Sequence, residues 1–402
     1  MTKKTFPVHV TSMTLSCAAG QGLAAVRRAL SEQRTGLRPN DFPGCELETW
    51  IGRVEGVEDI RFGPNLAEYD CRNNRLAMIG LQQDGFVQAA EALKNHYGRE
   101  RIACVIGTST AGIGTTEAAY ANLGDQQHFD PAYLLPRVHT PHTSAAFVAR
   151  VLGLDGPVIT ISTACSSSAK VFATAARLID AGLADAAVVG GVDSLCLSVL
   201  YGFHSLELVS DQPCRPFDRA RKGLSLGEGA GFAILEKSPD QRSQPSLGRL
   251  LGWGESSDAH HMASPHPEGA GAGAAMTAAL QRAGLQPEAI GYINCHGTAT
   301  PLNDKVEAMA IKRIFSRPPP AASTKGWTGH TLGAAGIAES VFSLLALNDN
   351  YLPAGLNLTD PDPDWNDFIL LEPVSQRVDA VLSNSFGFGG SNCALIFGRE
   401  GT

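Results

Sequence analysis

Residues 156–195 read GPVITISTACSSSAKVFATAARLIDAGLADAAVVGGVDSL, and the succession of patterns in them decides the fold class. GPVITIST is a short run rich in β-branched residues, the signature of a buried strand. It gives way at Ser166 to a helix that runs through Ala175, Leu178 and Ile179, with Gly182 suited to its end. AAVVGG then returns to an unbroken apolar strand. Strand, helix, strand within about forty residues is a βαβ unit, and a continuous apolar strand belongs to a sheet covered on both faces.

The same alternation extends outward in both directions. VHVTSM is followed by GLAAVRRALSEQ, and RIACVIGT by a helix-prone stretch. The second half gives GYINCH, a helix around Val306–Phe315, the helix AAGIAESVFSLLAL, and the strands AVLSNSF and NCALIFG. The pattern predicts an α/β protein with largely parallel sheets. KSPDQRSQPS, 237–246, is polar and proline-containing and predicts the link between two halves, residues 1–240 and 247–402.

The chain has 402 residues, 44% of them hydrophobic and 18% charged, enough for a sizeable core. A net charge of −8 and the lack of a basic run interleaved with aromatics speak against nucleic-acid binding. No apolar stretch is long enough to span a bilayer and the first residues do not resemble a signal peptide, so a cytoplasmic location is expected. Nine cysteines without a CxxC pair argue against a disulfide framework or a cysteine-based zinc site.

Cys165 stands apart from the other cysteines because it lies between a strand end and a helix start. Free N–H groups and the positive helix end favour a thiolate there, so a lowered pKa and a nucleophilic role are expected. His296 and His330 also follow apolar or glycine-containing segments at strand-to-loop exits, where α/β proteins place their chemistry. Two neutral imidazoles can each donate an N–H to one carbonyl oxygen and stabilise an enolate. The alternatives are satisfied loop histidines or metal ligands; the sequence has no HExxH and no supporting carboxylate pattern.

TACSSSAK resembles the active-site segment of the type I/II β-ketoacyl-acyl-carrier-protein synthases, condensing enzymes of the thiolase superfamily. PFDRARKGLSLGEGAG (216–231), HGTATPLND (296–304), KGWTGHTLGAAG (325–336) and NSFGFGGSN (384–392) match the same family in the same order. The resemblance implies a thiolase-like fold, two duplicated βαβ halves in a five-layer αβαβα sandwich. It implies decarboxylative Claisen condensation of malonyl-acyl-carrier protein with an acyl group on Cys165. It assigns catalysis to Cys165, His296, His330 and Lys325, with Glu339 supporting the lysine. It assigns the oxyanion hole to the backbone N–H groups of Cys165 and Phe388, pantetheine contacts to Thr298 and Thr300, and the acyl pocket or gate to Ile113, Phe203 and Phe388. No cofactor or metal is implied, since the substrates ride on the carrier's phosphopantetheine.

GTSTAGIG (107–114) lacks the full dinucleotide fingerprint and a following acidic residue; the resemblance places it beside the acyl pocket. His260, His261 and His266 read as a surface or dimer-proximal loop. Carrier proteins are acidic, so docking is expected at clustered cations, with Arg72, Arg75, Arg215, Arg219, Arg221 and Lys222 as candidates. The resemblance also implies a dimer, either with a second copy or with a homologous chain-length-factor-like subunit. A degradative thiolase would need a second cysteine in its C-terminal glycine loop, where this chain has FGFGGSN; a chain-initiating synthase of type III would carry Asn in place of His330; a non-catalytic partner subunit would lack Cys165. The chemistry leaves open fatty-acid, aryl-polyene or polyketide-type biosynthesis.

Overall fold

The computed structural model describes residues 8–124, 128–237 and 246–402, so most of the expected link at 237–246 lies outside the described residues. Ten strands form the central framework: β1 (Val8–Cys17), β2 (Ile102–Gly107), β3 (Val158–Ile161), β4 (Ala186–Asp193), β5 (Gly229–Glu236), β6 (Gly248–Ser257), β7 (Tyr292–Asn294), β8 (Ala321–Ala322), β9 (Ala380–Gly387) and β10 (Ser391–Gly398). Their order is β8-β7-β9-β10-β6-β1-β5-β4-β2-β3. Counted from the β1/β6 junction, each half runs first, fifth, fourth, second, third strand. The pairing senses also repeat. In each half the first–fifth and fifth–fourth pairs are antiparallel, and the fourth–second and second–third pairs are parallel. The fold is therefore internally repeated at the level of topology, although the two halves do not align by eye in sequence.

The sheets are mixed rather than largely parallel. The alternation of strand and helix predicted largely parallel pairing, but the last strand of each half returns antiparallel. In the second half this is a tight turn from β9 to β10 across Phe388–Gly390. The halves join through β1 and β6, paired antiparallel at Val8↔Leu250, His9↔Arg249 and Val10↔Gly248.

Seven helices build the layers around this framework: α1 (Arg72–Leu81), α2 (Phe86–Tyr97), α3 (Thr143–Leu152), α4 (Ser167–Asp180), α5 (Ala270–Ala283), α6 (Pro301–Ile314) and α7 (Ala335–Asp349). α1, α2 and α3 cover the outer face of the first sheet, while α5 covers the outer face of the second and carries α6 against it. α4 and α7 pack on each other between the sheets. The result is the five-layer αβαβα sandwich. The middle layer explains the composition of α7: every residue from Ala335 to Leu347 is buried, as a helix covered on all sides requires. Glu339 is the single charged residue in that run.

Close approach in the middle layer depends on missing Cβ atoms. A Cβ on Gly336 would lie 2.3 Å from the Ala169 nitrogen, and one on Gly107 would lie 2.5 Å from the Ser168 nitrogen. These contacts seat the start of α4 directly against β2 and α7. Among the described residues no helix is long and apolar enough to cross a membrane.

Gly336→Ala should force α4 and α7 apart and lower stability by about 2–3 kcal/mol, read as a fall in the urea midpoint. Gly273→Ala on α5, where a Cβ would meet nothing within 4 Å, should instead raise it by about 0.5–1 kcal/mol.

Candidate active site

Cys165 lies in the turn between β3 and α4. The preceding Ala164 has φ +51°, a left-handed conformation that lifts the cysteine out of the strand direction. The serines beside it fasten this turn. Ser166 Oγ donates to Thr163 O at 2.9 Å, and Ser167 Oγ donates to Ala164 O at 2.6 Å and accepts from Thr163 N at 2.8 Å. Ser168 Oγ accepts the Ile337 N–H at 2.9 Å, tying the start of α4 to α7. Gly182 follows the helix with φ +71°.

His330 reaches the same point from the second half, at the loop before α7. Its Nε2 is 3.1 Å from Cys165 Sγ, and its Nδ1 accepts the Leu332 N–H at 3.1 Å. An acceptor at Nδ1 places the neutral ring's proton on Nε2, facing the sulfur. His296 follows β7, with its ring centroid 5.3 Å from that of His330 at 86°. The Lys325 ammonium faces His296 Nδ1 at 3.3 Å and also donates to the His296 carbonyl and to Glu339. A donor behind Nδ1 again leaves Nε2–H as the inward group. Burial holds both histidines well below their ordinary pKa, reinforced by the charge of Lys325 and, for His296, by His330. Both rings are therefore neutral N–H donors.

Lys325 is only 2% exposed and pairs with the equally buried Glu339, whose other oxygen accepts from Ser385 Oγ at 3.1 Å. The pairing expected from the sequence is present in the structure.

Cys165 differs from its expected titration. Burial pushes the thiol up to about 11, against the opposing pull of the Phe388 N–H and of Lys325. Those two groups do not compensate for the loss of water around a sulfur that is only 4% exposed.

Cys165, His296 and His330 each offer one donor atom, all within 4.8 Å of one another, a spacing that a metal could use. The groups behind the histidines oppose that reading. Metal-bound imidazoles hand their far N–H to an acceptor, whereas here both far nitrogens face donors.

A cavity of about 220 Å³ opens onto these groups. Thr298 and Thr300 line it, with their hydroxyl oxygens 2.9 Å apart. Phe203 and Phe388 also line it, and their rings stack with centroids 5.3 Å apart at 20°. Ile113, half-buried at the start of the helix Ile113–Ala121, is not among its lining residues. His260 and His261 are exposed, as expected of a surface loop, but Ala263–Pro265, beyond the exposed Met262, form part of the cavity wall.

Two of the proposed docking cations are corrected. Arg72 turns inward and donates to the fully buried Glu228 at 3.0 Å, where that carboxylate also holds the N–H groups of Val54 and Leu195. Arg221 is 7% exposed, lies near Asp304 and Asp362, and covers the Trp365 ring at 5.0 Å. Both are internal ion-pair residues. Arg75 is paired through two bonds with Asp70. Arg219 and Lys222 are exposed and Arg215 half-buried.

Residues 5–241 match the family described as Beta-ketoacyl synthase, N-terminal domain, and residues 247–359 match its C-terminal domain. The chain belongs to the β-ketoacyl synthase family. The mitochondrial 3-oxoacyl-[acyl-carrier-protein] synthase of Arabidopsis thaliana is 39% identical, covering 97% of this chain and 92% of its own. The 3-oxoacyl-[acyl-carrier-protein] synthase 2 of Coxiella burnetii is 36% identical and covers 98% of both. Among solved structures, one described as the ketosynthase ApeO in complex with its chain length factor ApeC from Xenorhabdus doucetiae superposes with a TM-score of 0.86, at 36% identity over 98% of each chain. Fold, family and reaction class agree with the sequence reading: this β-ketoacyl synthase is an acyl-transferring condensing enzyme with a thiolase-like fold.

The sequence reading missed Glu307. Its carboxylate accepts the backbone N–H groups of His296 and Gly297, both at 2.8 Å, and the Asn384 amide at 3.0 Å, so it cradles the turn that carries His296. Asp304, three residues earlier on the same face of α6, accepts from Phe217 N and Ala299 N. Two acids at i and i+3 just after HGTATP were the available signal.

Burial raises Glu307 from 4.5 to about 7. A carboxyl with a raised folded-state pKa lends stability that is fully present below its unfolded value and is lost as pH rises through its folded value. The contribution of Glu307 should therefore fall between about pH 5 and pH 7, against the opposite trend of the two neutral histidines, so the difference in urea midpoint between wild type and Glu307→Gln should change across that window; a difference that stays constant would remove Glu307 as its cause.

Proposed function

We propose that this β-ketoacyl synthase performs decarboxylative Claisen condensation between an acyl group carried on Cys165 and malonyl-acyl-carrier protein. The observation that carries the reading is the convergence of the Cys165 sulfur with two neutral imidazoles whose Nε2–H groups face it.

In the first half-reaction the Cys165 sulfur attacks the thioester carbonyl of an acyl carrier. A C–S bond forms, the carrier's C–S bond breaks, and the cysteine proton ends on the departing pantetheine thiol. The N–H groups of Cys165 and Phe388 hold the oxyanion of the tetrahedral intermediate. In the second, the malonyl thioester loses CO2, and its bond electrons become an enolate held by the Nε2–H groups of His296 and His330. The enolate carbon attacks the Cys165 thioester, a C–C bond forms, and the sulfur is released and reprotonated. The β-ketoacyl product is two carbons longer. Loss of CO2 supplies the driving force, so the cycle balances without a redox cofactor. Lys325, anchored by Glu339, fixes the His296 tautomer. Thr298 and Thr300 face the pantetheine arm, and Phe388 with Phe203 closes the acyl side, where Ile113 is assigned to the pocket beyond the closed rings.

We infer a cytoplasmic enzyme of two halves, 1–240 and 247–402, that works as a dimer. Among the described residues β3, VITI, is an edge strand with one side unpaired, a surface that a like-folded subunit would cover. The complex of the ketosynthase ApeO with its chain length factor supports a heterodimer with a homologous subunit; pairing with a second copy of this chain is the alternative. The product enters fatty-acid, aryl-polyene or polyketide-type biosynthesis.

Incubation with a panel of acyl-carrier proteins should add an acyl mass to the intact protein. Cys165→Ala should abolish the adduct; no adduct with any donor, or one that survives the substitution, would refute the assignment.

Carrier docking is assigned to Arg215, Arg219 and Lys222. Arg221, between the last two, donates to the Pro301 carbonyl at the cavity wall, which supports the assignment of its exposed neighbours. Arg219→Glu with Lys222→Glu should raise KM for the carrier about tenfold or more and leave turnover of small thioester mimics intact. Equal loss with both substrates would contradict the assignment.

A further inference from the structure

Thr108–Thr110 of GTSTAGIG and the acid that ends β4 have no part in the chemistry above, yet they meet at the back of the site. Asp193 is fully buried at the end of an otherwise apolar strand. Its carboxylate accepts six donors: Thr108 Oγ1 at 2.6 Å, Ser109 N at 2.9 Å, Ser109 Oγ at 2.6 Å, Thr110 N at 2.8 Å, Thr110 Oγ1 at 2.7 Å and Gly333 N at 2.5 Å. The first five come from three consecutive residues of its own half. The sixth comes from the other half, three residues after His330.

That sixth bond falls on a strained turn. Leu332 has φ +55°, a conformation that L side chains rarely adopt and that persists only where the surroundings hold it. The Leu332 N–H is the group that donates to His330 Nδ1 at 3.1 Å. At Gly333 a Cβ would lie 2.6 Å from Asp193 Oδ2 and 2.8 Å from Ser109 N, so the carboxylate and the TST loop press on bare backbone. Ser109 Oγ also accepts from Gly333 N at 3.2 Å.

We propose that Asp193 is a positioning residue for His330: anchored by Thr108–Thr110, it holds the Leu332–Gly333 turn whose N–H keeps the imidazole proton on Nε2, facing Cys165. Asp193 touches no reacting atom and acts through backbone alone. The proposal rests on the reading of His330 as a donor to the Cys165 sulfur. It also gives GTSTAG a role, since three side chains and backbone groups that could be mistaken for a phosphate loop are spent on a carboxylate of the chain itself.

The test reads the His330–Cys165 contact without requiring condensation. Cys165 alkylation by iodoacetamide is followed against pH by peptide mass in wild type, Asp193→Asn, Ser109→Ala and His330→Ala. The titratable and charged groups facing the sulfur are His330 and His296, with Lys325 and Glu339 behind them. Loss of an N–H donor to the thiolate should move the profile of His330→Ala to higher pH by about half a unit or more. Asp193→Asn should move it in the same direction, and Ser109→Ala by less. Condensation by Asp193→Asn should fall about tenfold in kcat with KM for the carrier nearly unchanged. A folded Asp193→Asn with lowered activity but an unmoved profile would show a structural role only and overturn the proposal. Should Asp193→Asn fail to fold, an unmoved profile in Ser109→Ala overturns it. An unmoved profile in His330→Ala would instead remove the donor reading on which the proposal rests.

Discussion

A lysine ion-paired with a glutamate and enclosed at the centre of a five-layer protein is the constraint around which the site is arranged. Removing such a charge from water costs several kcal/mol unless a partner and hydrogen bonds are in place. Lys325 has Glu339 as its partner, and Glu339 sits on the helix least suited to a charge, since every residue from Ala335 to Leu347 is buried. The remaining donor capacity of the ammonium is turned onto His296, at its carbonyl and at Nδ1. The ion pair thus converts a stability problem into a chemical setting: it decides which nitrogen of His296 carries the proton.

The internal repeat explains how such groups come together from distant parts of the sequence. Cys165 lies after the third strand of the first half, at the start of α4, and His330 lies after the third strand of the second half, at the start of α7. They occupy corresponding places in two copies of one topology, and α4 and α7 pack against each other in the middle layer. The second strands correspond too: β7 delivers His296, while β2 leads into Thr108–Thr110, which serve as scaffold. One half therefore supplies the nucleophile and a support, and the other supplies both imidazoles. Glycine at 107 and 336 is the sequence-level condition for this, because it lets the helix starts approach within van der Waals distance of backbone.

The strands and helices nearest the chemistry were legible because their patterns are local. The β3–Cys165–α4 unit, the apolar α7 and the turn after β9 were read within a few residues of their observed limits. Pairing sense was not legible: strand and helix alternation does not reveal that β5 and β10 return antiparallel. Direction of side chains was not legible either. Arg72 looked like a surface cation, but Glu228, which draws it inward, is 156 residues away. Arg221 was hidden by the same kind of distant acid. Glu307 and Asp193 act on backbone N–H groups, and nothing in a motif announces which N–H a carboxylate will hold.

The titration of Cys165 shows why position relative to a helix is not enough to infer a reactive thiolate. A helix start stabilises an anion through exposed N–H groups over about one turn, an effect of about 1 kcal/mol. Near-complete loss of solvent around the same sulfur acts in the opposite sense and more strongly, which leaves the resting thiol neutral. The donors that would favour a thiolate, the Phe388 N–H and His330 Nε2–H, are already aimed at the sulfur. Their energy is realised only when negative charge forms there or on a carbonyl oxygen in the same place. A site with neutral imidazoles and a neutral thiol at rest therefore holds little charge before substrate arrives, and it stabilises the charge that the reaction creates.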